Sequence, residues 1–198
     1  PNEHFIVCIN VLGGCQGSTG PASINPSTGK PYGSSFPVIT TRDMVRAQSA
    51  VADHLGIDKW HLVVGGSMGG MQVLEWGIMY PERVRALAPL ATALAASPWQ
   101  IGWSSVGRRA LVLDPLFRGG DYYDAEPGNG PHSGLAIARA VAQIHYRSPG
   151  SFAERFGREV VNPRSLYGLW DQYQVESYLD YQGEKLVRRF DANSYLVL

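Results

Sequence analysis

The most constraining feature of the chain is a serine set between two glycines, where an apolar run gives way to a helical pattern. The run is Leu62-Val63-Val64, and Ser67 follows it with Gly65 two places before and Gly69 two places after. A serine in this setting can occupy a tight turn from a strand into a helix, which aims its hydroxyl out of the top of a sheet. The turn strains the serine backbone, so side chains in place of both glycines are expected to collide with the strand or the helix.

The pattern by itself also fits an ordinary glycine-rich turn, and its surroundings favour the strained turn. After Ser67, apolar residues recur at helical spacing until Tyr80-Pro81 ends the helix; they are Met71, Leu74, Ile78 and Met79. A strand before the serine and a helix after it are what such a turn requires.

Strands and helices alternate through the first half of the chain. The predicted elements are a buried strand from Phe5 to Val11, a helix that Thr40 or Thr41 caps and Gly56 ends, a strand from Trp60 to Val64, the helix to Tyr80, and a strand from Val84 to Leu90. The first helix is expected to have Met44, Ala47, Val51 and Leu55 on one face. This alternation predicts an α/β fold, with a partial parallel sheet flanked by helices.

Loops at one edge of this sheet are expected to form the site. In parallel sheets the site lies at the carboxyl ends of the strands. Ser67, Gly13-Gly14 and Thr92 each follow a predicted strand, so we expect the three loops to meet. The long Gly/Pro/Ser/Thr segment from Gly14 to Thr41 is predicted to be an ordered loop that lines the same region.

Beyond Leu90 the pattern is helical. Helices are predicted at 99–113, 135–147 and 175–190, with a single turn at 152–156. Ser97 is predicted to cap the first of them, with Pro98 in its first turn. We interpret residues 1–94 as a partial core that carries the strained turn, 95–190 as a helical cap inserted over the site, and 191–198 as the start of a return to the core. A separate helical domain is the alternative, although no linker-like sequence divides the halves.

Composition excludes several classes of function. The chain has 198 residues, 44% of them apolar and 17% charged, with a formal net charge of zero, so no overall field favours nucleic acid or an anionic membrane. No apolar run is long enough for a membrane span and no signal peptide opens the sequence, so we expect a cytoplasmic protein. Cys8 and Cys15 have neither disulfide nor metal-ligand spacing, so no metal is predicted.

A nucleophilic serine needs a base, usually histidine, and a carboxylate that orients it. With this turn, the acid and then the histidine follow the serine along the chain. His132 and His145 are the histidines after Ser67, and neither has the expected setting in a loop after a last strand. Because a strand-like segment starts at Phe5, close behind Pro1, and the sequence ends in apolar residues, we expect a fragment whose base and acid lie beyond residue 198.

Two further features suit acyl chemistry. The backbone amide of Met68, at the start of the helix, is placed to donate to a developing oxyanion. Arg139 and Tyr146 are seven residues apart on a predicted helix, which puts both on one face, where they could grip a carboxylate. A solvated arginine and a packed tyrosine would fit the same spacing.

Three blocks of sequence together are similar to the homoserine O-acetyltransferases of methionine biosynthesis. The blocks are Asn10 to Pro21, Gly65 to Trp76 and Phe190 to Tyr195. The resemblance implies an α/β-hydrolase fold, Ser67 as the nucleophile that takes an acetyl group from acetyl-CoA and passes it to the hydroxyl of L-homoserine, and Arg139 and Tyr146 as substrate-binding residues. It also implies a homodimer and no metal or redox cofactor, with acetyl-CoA as co-substrate.

The sequence is compatible with several alternative functions. The donor could be a succinyl group and the acceptor could be serine. The same nucleophile would also serve a plain esterase. A chain that exists only as these residues would be a catalytically inactive fragment.

Overall fold

The structure, a computed structural model, describes residues 3–163 and 168–198. Its regular elements, in chain order, are α1 (Thr41–His54), β1 (Val63–Gly66), α2 (Met68–Met79), β2 (Leu87–Leu90), α3 (Pro98–Val112), α4 (His132–His145), α5 (Pro149–Phe156), α6 (Gln174–Val187) and α7 (Ala192–Val197). Within these residues no helix has the length and apolar character to span a bilayer.

Local sequence explains where several helices begin. Thr40 caps α1 in a reciprocal arrangement: its hydroxyl accepts from the amide of Asp43, whose carboxylate accepts from the amide of Thr40. Ser97 accepts from the amide of Gln100 at the start of α3, and Pro98 occupies the first helical position. Of the two residues predicted as a cap for α1, Thr40 is the one observed, and the predicted cap at Ser97 is confirmed.

The sheet of the described chain is parallel, as predicted. β1 pairs with β2 in the register Val63↔Leu87 to Gly66↔Leu90. An isolated parallel bridge between Trp60 and Val84 precedes this ladder on the N-terminal side of both strands. The regular strands are shorter than predicted, because His61 and Arg85 form bends between this bridge and the ladder.

The predicted buried strand from Phe5 to Val11 is wrong for the described structure. This segment pairs with no strand in residues 3–163 and 168–198, and Phe5 and Ile6 are each 74% exposed. A cavity of about 880 Å³ separates the segment from β1. A strand needs a neighbour for its backbone groups, and strand-prone side chains alone do not supply one.

Helix α1 is also rotated relative to the prediction. Its buried residues are Met44, Val45, Ser49 and Ala52, whereas Leu55 is 44% exposed. Polar contacts fix this orientation: Trp76 on α2 donates to Gln48 at 2.7 Å, and Arg83 donates to the hydroxyl of Ser49 at 2.8 Å. Because the polar side chains on this face find partners, the stripe of apolar residues does not decide which face is buried.

β1 runs into α2 through an unusually close approach of strand and helix. A Cβ built on Gly65 would lie 2.4 Å from the carbonyl oxygen of Gly69, so only glycine fits there. A Cβ built on Gly69 meets no atom within 4 Å, so the steric role predicted for this glycine is wrong. Gly70 is the second constrained position, because a Cβ there would lie 2.6 Å from Cβ of Thr92.

The helices α3, α4, α6 and α7 form what we call the helical bundle. α4 packs between α3 and α6, and the apolar core comprises Leu111, Phe117, Tyr122, Leu135, Ala138, Leu186 and Ala192. No side chain caps α4 from the residue before it. Instead, the carboxylate of Asp114 accepts from the amide of Gly134 at 2.7 Å, which ties the end of α3 to the first turn of α4.

A buried polar network fastens α7 to this bundle. Asp191 accepts from the hydroxyls of Tyr122 at 2.6 Å and Tyr123 at 2.9 Å, and from the amide of Ser194 at 2.8 Å. Burial, together with the nearby Asp191 carboxylate, raises the pKa of both tyrosines well above the ordinary range. Asn193 completes the network, because its backbone amide donates to the hydroxyl of Tyr122.

We expect alanine at Gly65 and alanine at Gly69 to have opposite effects on stability. Gly65→Ala places a methyl group against the backbone of α2 and should lower the free energy of unfolding by about 3 kcal/mol or more. Gly69→Ala fills open space in the first turn of a helix and should raise it by up to about 1 kcal/mol. Denaturant unfolding of both variants tests this pair, and equal destabilisation would contradict the steric explanation.

We expect Asp191→Asn to destabilise the chain by about 2 kcal/mol or more. The neutral amide weakens the charge-assisted hydrogen bonds from two tyrosines and one backbone amide. Asp121→Asn is the matched control, because Asp121 is exposed and its carboxylate accepts no hydrogen bond from the described residues. The Tm of both variants measures the difference, and a similar Tm for the two would rule out Asp191 as the anchor.

Candidate active site

Ser67 lies at the junction of β1 and α2 in a strained backbone conformation. Its φ is 55° and its ψ is −121°, a combination that a non-glycine residue adopts at a cost of about 1–3 kcal/mol. Hydrogen bonds on both sides hold it: its amide donates to Leu90 at 2.9 Å, and its carbonyl accepts from Gly70 at 2.9 Å. The side chain is exposed, so the structure presents the hydroxyl to solvent as the sequence pattern predicts.

Met68 opens α2 directly after the serine. Within the described residues its amide donates no hydrogen bond, whereas the amides of Gly70 and Met71 both donate to the carbonyl of Ser67. A free amide at a helix start is suited to stabilising negative charge. The oxyanion role of Met68 stays a prediction, consistent with this geometry.

The loop after β2 meets the same turn. Ala91 has a φ of 46°, so this strand also ends in a left-handed residue, and Thr92 then packs against Gly70. The Gly13-Gly14 turn does not join them. A Cβ built on Gly13 would instead lie 2.7 Å from Ile39 and 3.0 Å from Val197, so this turn packs against the loop before α1 and the end of α7.

No histidine in the described residues is hydrogen-bonded to Ser67, whose hydroxyl has no hydrogen-bond partner there. His132 and His145 are the first and last residues of α4, and His4 stacks on His61 at 5.5 Å. In residues 3–163 and 168–198, no three His, Cys, Asp or Glu side chains are grouped to hold a metal ion. The described contacts therefore contain the nucleophile without a general base.

The cavity of about 880 Å³ is not the site of this chemistry. Its lining includes Phe5, Ile6, Leu62 and Val64, and it touches Gly65 and Gly69, but Ser67 is absent from its wall. The cavity lies between the extended segment from Phe5 to Val11 and the edge of β1 that pairs with no other described strand. Its wall is mainly apolar.

Arg139 and Tyr146 lie together on α4 and just beyond it, as their spacing predicts. The guanidinium carbon is 5.8 Å from the centre of the Tyr146 ring, within range of a cation–π contact. Arg139 is half-buried and forms no ion pair with the residues that the structure describes. No described contact joins this pair to Ser67, so their role as substrate-binding residues stays a prediction.

Three neighbours of this pair were not predicted from the sequence. Gln143 contacts both Arg139 and Tyr178, and Tyr195 from α7 donates to the carbonyl of Ala138 at 3.4 Å. Burial raises the pKa of Tyr195, Tyr146 raises it further, and Arg139 lowers it. The spacing of Gln143, one helical turn after Arg139, was a usable signal for the first of these contacts.

The amino-acid sequence is similar to those of curated homoserine acyltransferases. It is 55% identical over 196 residues to a homoserine O-acetyltransferase of Moorella thermoacetica, covering 99% of this chain and 52% of the relative. It is 50% identical over 197 residues to a homoserine O-succinyltransferase of Halorhodospira halophila, covering 100% of this chain and 51% of the relative. The chain thus spans about half the length of these curated relatives.

Solved structures agree on the fold. A homoserine O-acetyltransferase from Bacillus anthracis superposes with a TM-score of 0.80 at 26% identity, over 91% of this chain and 49% of that one. An acetylester hydrolase from Corynebacterium glutamicum superposes with a TM-score of 0.70 at 26% identity, over 91% of this chain and 48% of that one. A family model described as the alpha/beta hydrolase fold matches residues 1–198. With its strained serine between a parallel strand and a helix, the chain belongs to the α/β-hydrolase family.

Proposed function

We propose that this chain carries the nucleophile of an acyltransferase that moves an acetyl group from acetyl-CoA to the hydroxyl of L-homoserine. The observation that carries the proposal is the exposed Ser67 hydroxyl on a strained turn, beside the free amide of Met68. The 55% identity with a homoserine O-acetyltransferase supports the choice of substrates.

The reaction would proceed in two steps. The oxygen of Ser67 attacks the thioester carbonyl and gives up its proton to a base, and coenzyme A leaves as the protonated thiol. The homoserine hydroxyl then attacks the acyl-serine and loses its proton, which restores the serine and releases O-acetylhomoserine. In each step the amide of Met68 would stabilise the oxyanion. No described histidine is hydrogen-bonded to Ser67, so we propose that the base is a residue that no described hydrogen bond joins to Ser67.

Arg139 and Tyr146 would bind the acceptor. A guanidinium that pairs with no carboxylate among residues 3–163 and 168–198 suits the carboxylate of an amino acid, and the phenol beside it offers a further hydrogen bond. We also propose a cytoplasmic homodimer. The two free thiols, Cys8 and Cys15, suit a reducing compartment, and the exposed Trp99 and Val106, seven residues apart on one face of α3, offer an apolar contact surface.

Ester hydrolysis is the second candidate, because the superposed acetylester hydrolase shares this fold. The two reactions share the acyl-serine and differ in what attacks it. Acetyl-CoA with saturating L-homoserine distinguishes them through the ratio of O-acetylhomoserine to free acetate. Replacing the donor by succinyl-CoA, or the acceptor by L-serine, tests the remaining alternatives in the same assay.

We expect Ser67→Ala to lower kcat/KM for acyl transfer by about 10⁴-fold or more, because the nucleophile is lost. The assay follows coenzyme A release and O-acetylhomoserine formation by the protein expressed from its complete reading frame. Ser27→Ala is the control, since Ser27 is exposed and its hydroxyl has no partner among the described residues. Full activity of Ser67→Ala would exclude the acyl-serine route, and acetate as the dominant product would favour the hydrolase.

A further inference from the structure

Gln143 is a buried amide in direct contact with the proposed acceptor-binding arginine. It lies on α4 one turn after Arg139 and is 6% exposed. With its oxygen turned towards Arg139, it accepts from Nη2 at 2.8 Å and from Nε at 3.1 Å, while its nitrogen donates to the hydroxyl of Tyr178 at 2.8 Å. The opposite orientation would press the amide hydrogens against the guanidinium hydrogens, so the network requires this one.

Tyr178 is itself held firmly. Its ring packs against Phe156 with centroids 5.1 Å apart and against Phe152 at 6.5 Å. The guanidinium carbons of Arg155 and Arg147 lie 4.8 Å and 5.8 Å from its centre. A tyrosine fixed in this way fixes the amide of Gln143, which in turn fixes the plane of the Arg139 guanidinium.

The contact leaves one edge of the guanidinium available. Arginine has five N–H donors, and Gln143 takes one from Nε and one from Nη2. The remaining donors lie on Nη1 and Nη2, whose parallel N–H bonds form the end-on fork that binds a carboxylate with two hydrogen bonds. A neutral amide orients the cation without neutralising it, whereas a carboxylate in the same place would do both.

We infer that Gln143 is a positioning residue that holds Arg139 uncompensated and presents its end-on fork to the carboxylate of the amino-acid acceptor. This inference rests on the proposed function, since the acceptor is the one proposed there. It adds a specific requirement, namely that the residue one turn after Arg139 must accept hydrogen bonds and carry no charge.

The test replaces Gln143 by glutamate, which has nearly the same shape. In Gln143→Glu the new carboxylate would pair with Arg139 and compete with the ligand, so we expect the Kd of L-homoserine to rise about tenfold or more. Calorimetry on the complete protein carrying Ser67→Ala measures this Kd without turnover. Gln174→Glu is the matched control, because Gln174 is exposed at the first position of α6 and should leave the Kd within about twofold.

A carboxylate-free acceptor separates positioning from general damage. With Ser67 intact, we expect Gln143→Glu to raise KM for L-homoserine by a similar factor, and to leave kcat/KM for 3-aminopropan-1-ol unchanged within about twofold. Tyr178→Phe removes only the far end of the network and should raise the homoserine KM by about threefold. It tests the same inference if the glutamate variant does not fold.

Three results would overturn the inference: homoserine binding that is equally tight in Gln143→Glu, equal losses with both acceptors, or no homoserine binding to the Ser67→Ala protein. Failure of the proposed function gives a different result. In that case homoserine would still bind in a Gln143-dependent way, while the protein with Ser67 intact would form no O-acylhomoserine.

Discussion

The structure depends on the contact between strand β1 and helix α2 at Gly65 and Gly69. At this point the backbone of the strand almost touches the backbone of the helix, which forces Ser67 between them into a left-handed conformation. The strain is offset locally by the hydrogen bond that the amide of Ser67 donates to the carbonyl of Leu90 on β2, and by the hydrogen bonds that the carbonyl of Ser67 accepts from α2. An exposed hydroxyl beside a free amide is the direct result, so the reactive geometry follows from backbone packing.

The second half of the described chain is organised by polar contacts within an apolar bundle. Asp191 joins two tyrosines some seventy residues earlier in the chain to the start of α7, and Asp114 joins α3 to α4. α4, held in this way, carries Arg139, Gln143 and the adjoining Tyr146. The strained serine and the unpaired arginine are therefore supported by separate sets of contacts, one in the sheet and one in the bundle.

The sequence was most informative where one short segment decides its own conformation. The turn at Ser67, the cap at Thr40 and the start of α3 at Ser97 each depend on residues within four positions, and all three are as predicted. Predictions were wrong where a distant partner decides. The segment from Phe5 to Val11 has strand-prone side chains but no paired strand in the part of the chain that the structure describes, and α1 turns a different face inward because Gln48 and Ser49 find polar partners. Gly69 was expected to be sterically required. A side chain fits there, because its Cβ position points away from β1, the strand that carries Gly65.

Local periodicity and spacing were sufficient to predict the α/β class, the parallel pairing of β1 with β2, the position of the strained serine and the common location of Arg139 and Tyr146. The folded contacts were needed to show which glycine the turn requires, which face of α1 is buried, and that Tyr178 holds the amide of Gln143 beside Arg139. Each of these features depends on atoms that folding brings together, whereas spacing along α4 indicates only that Gln143 lies beside Arg139. The same reason explains why Ser67 was recognisable in the sequence while the packing that strains it was not.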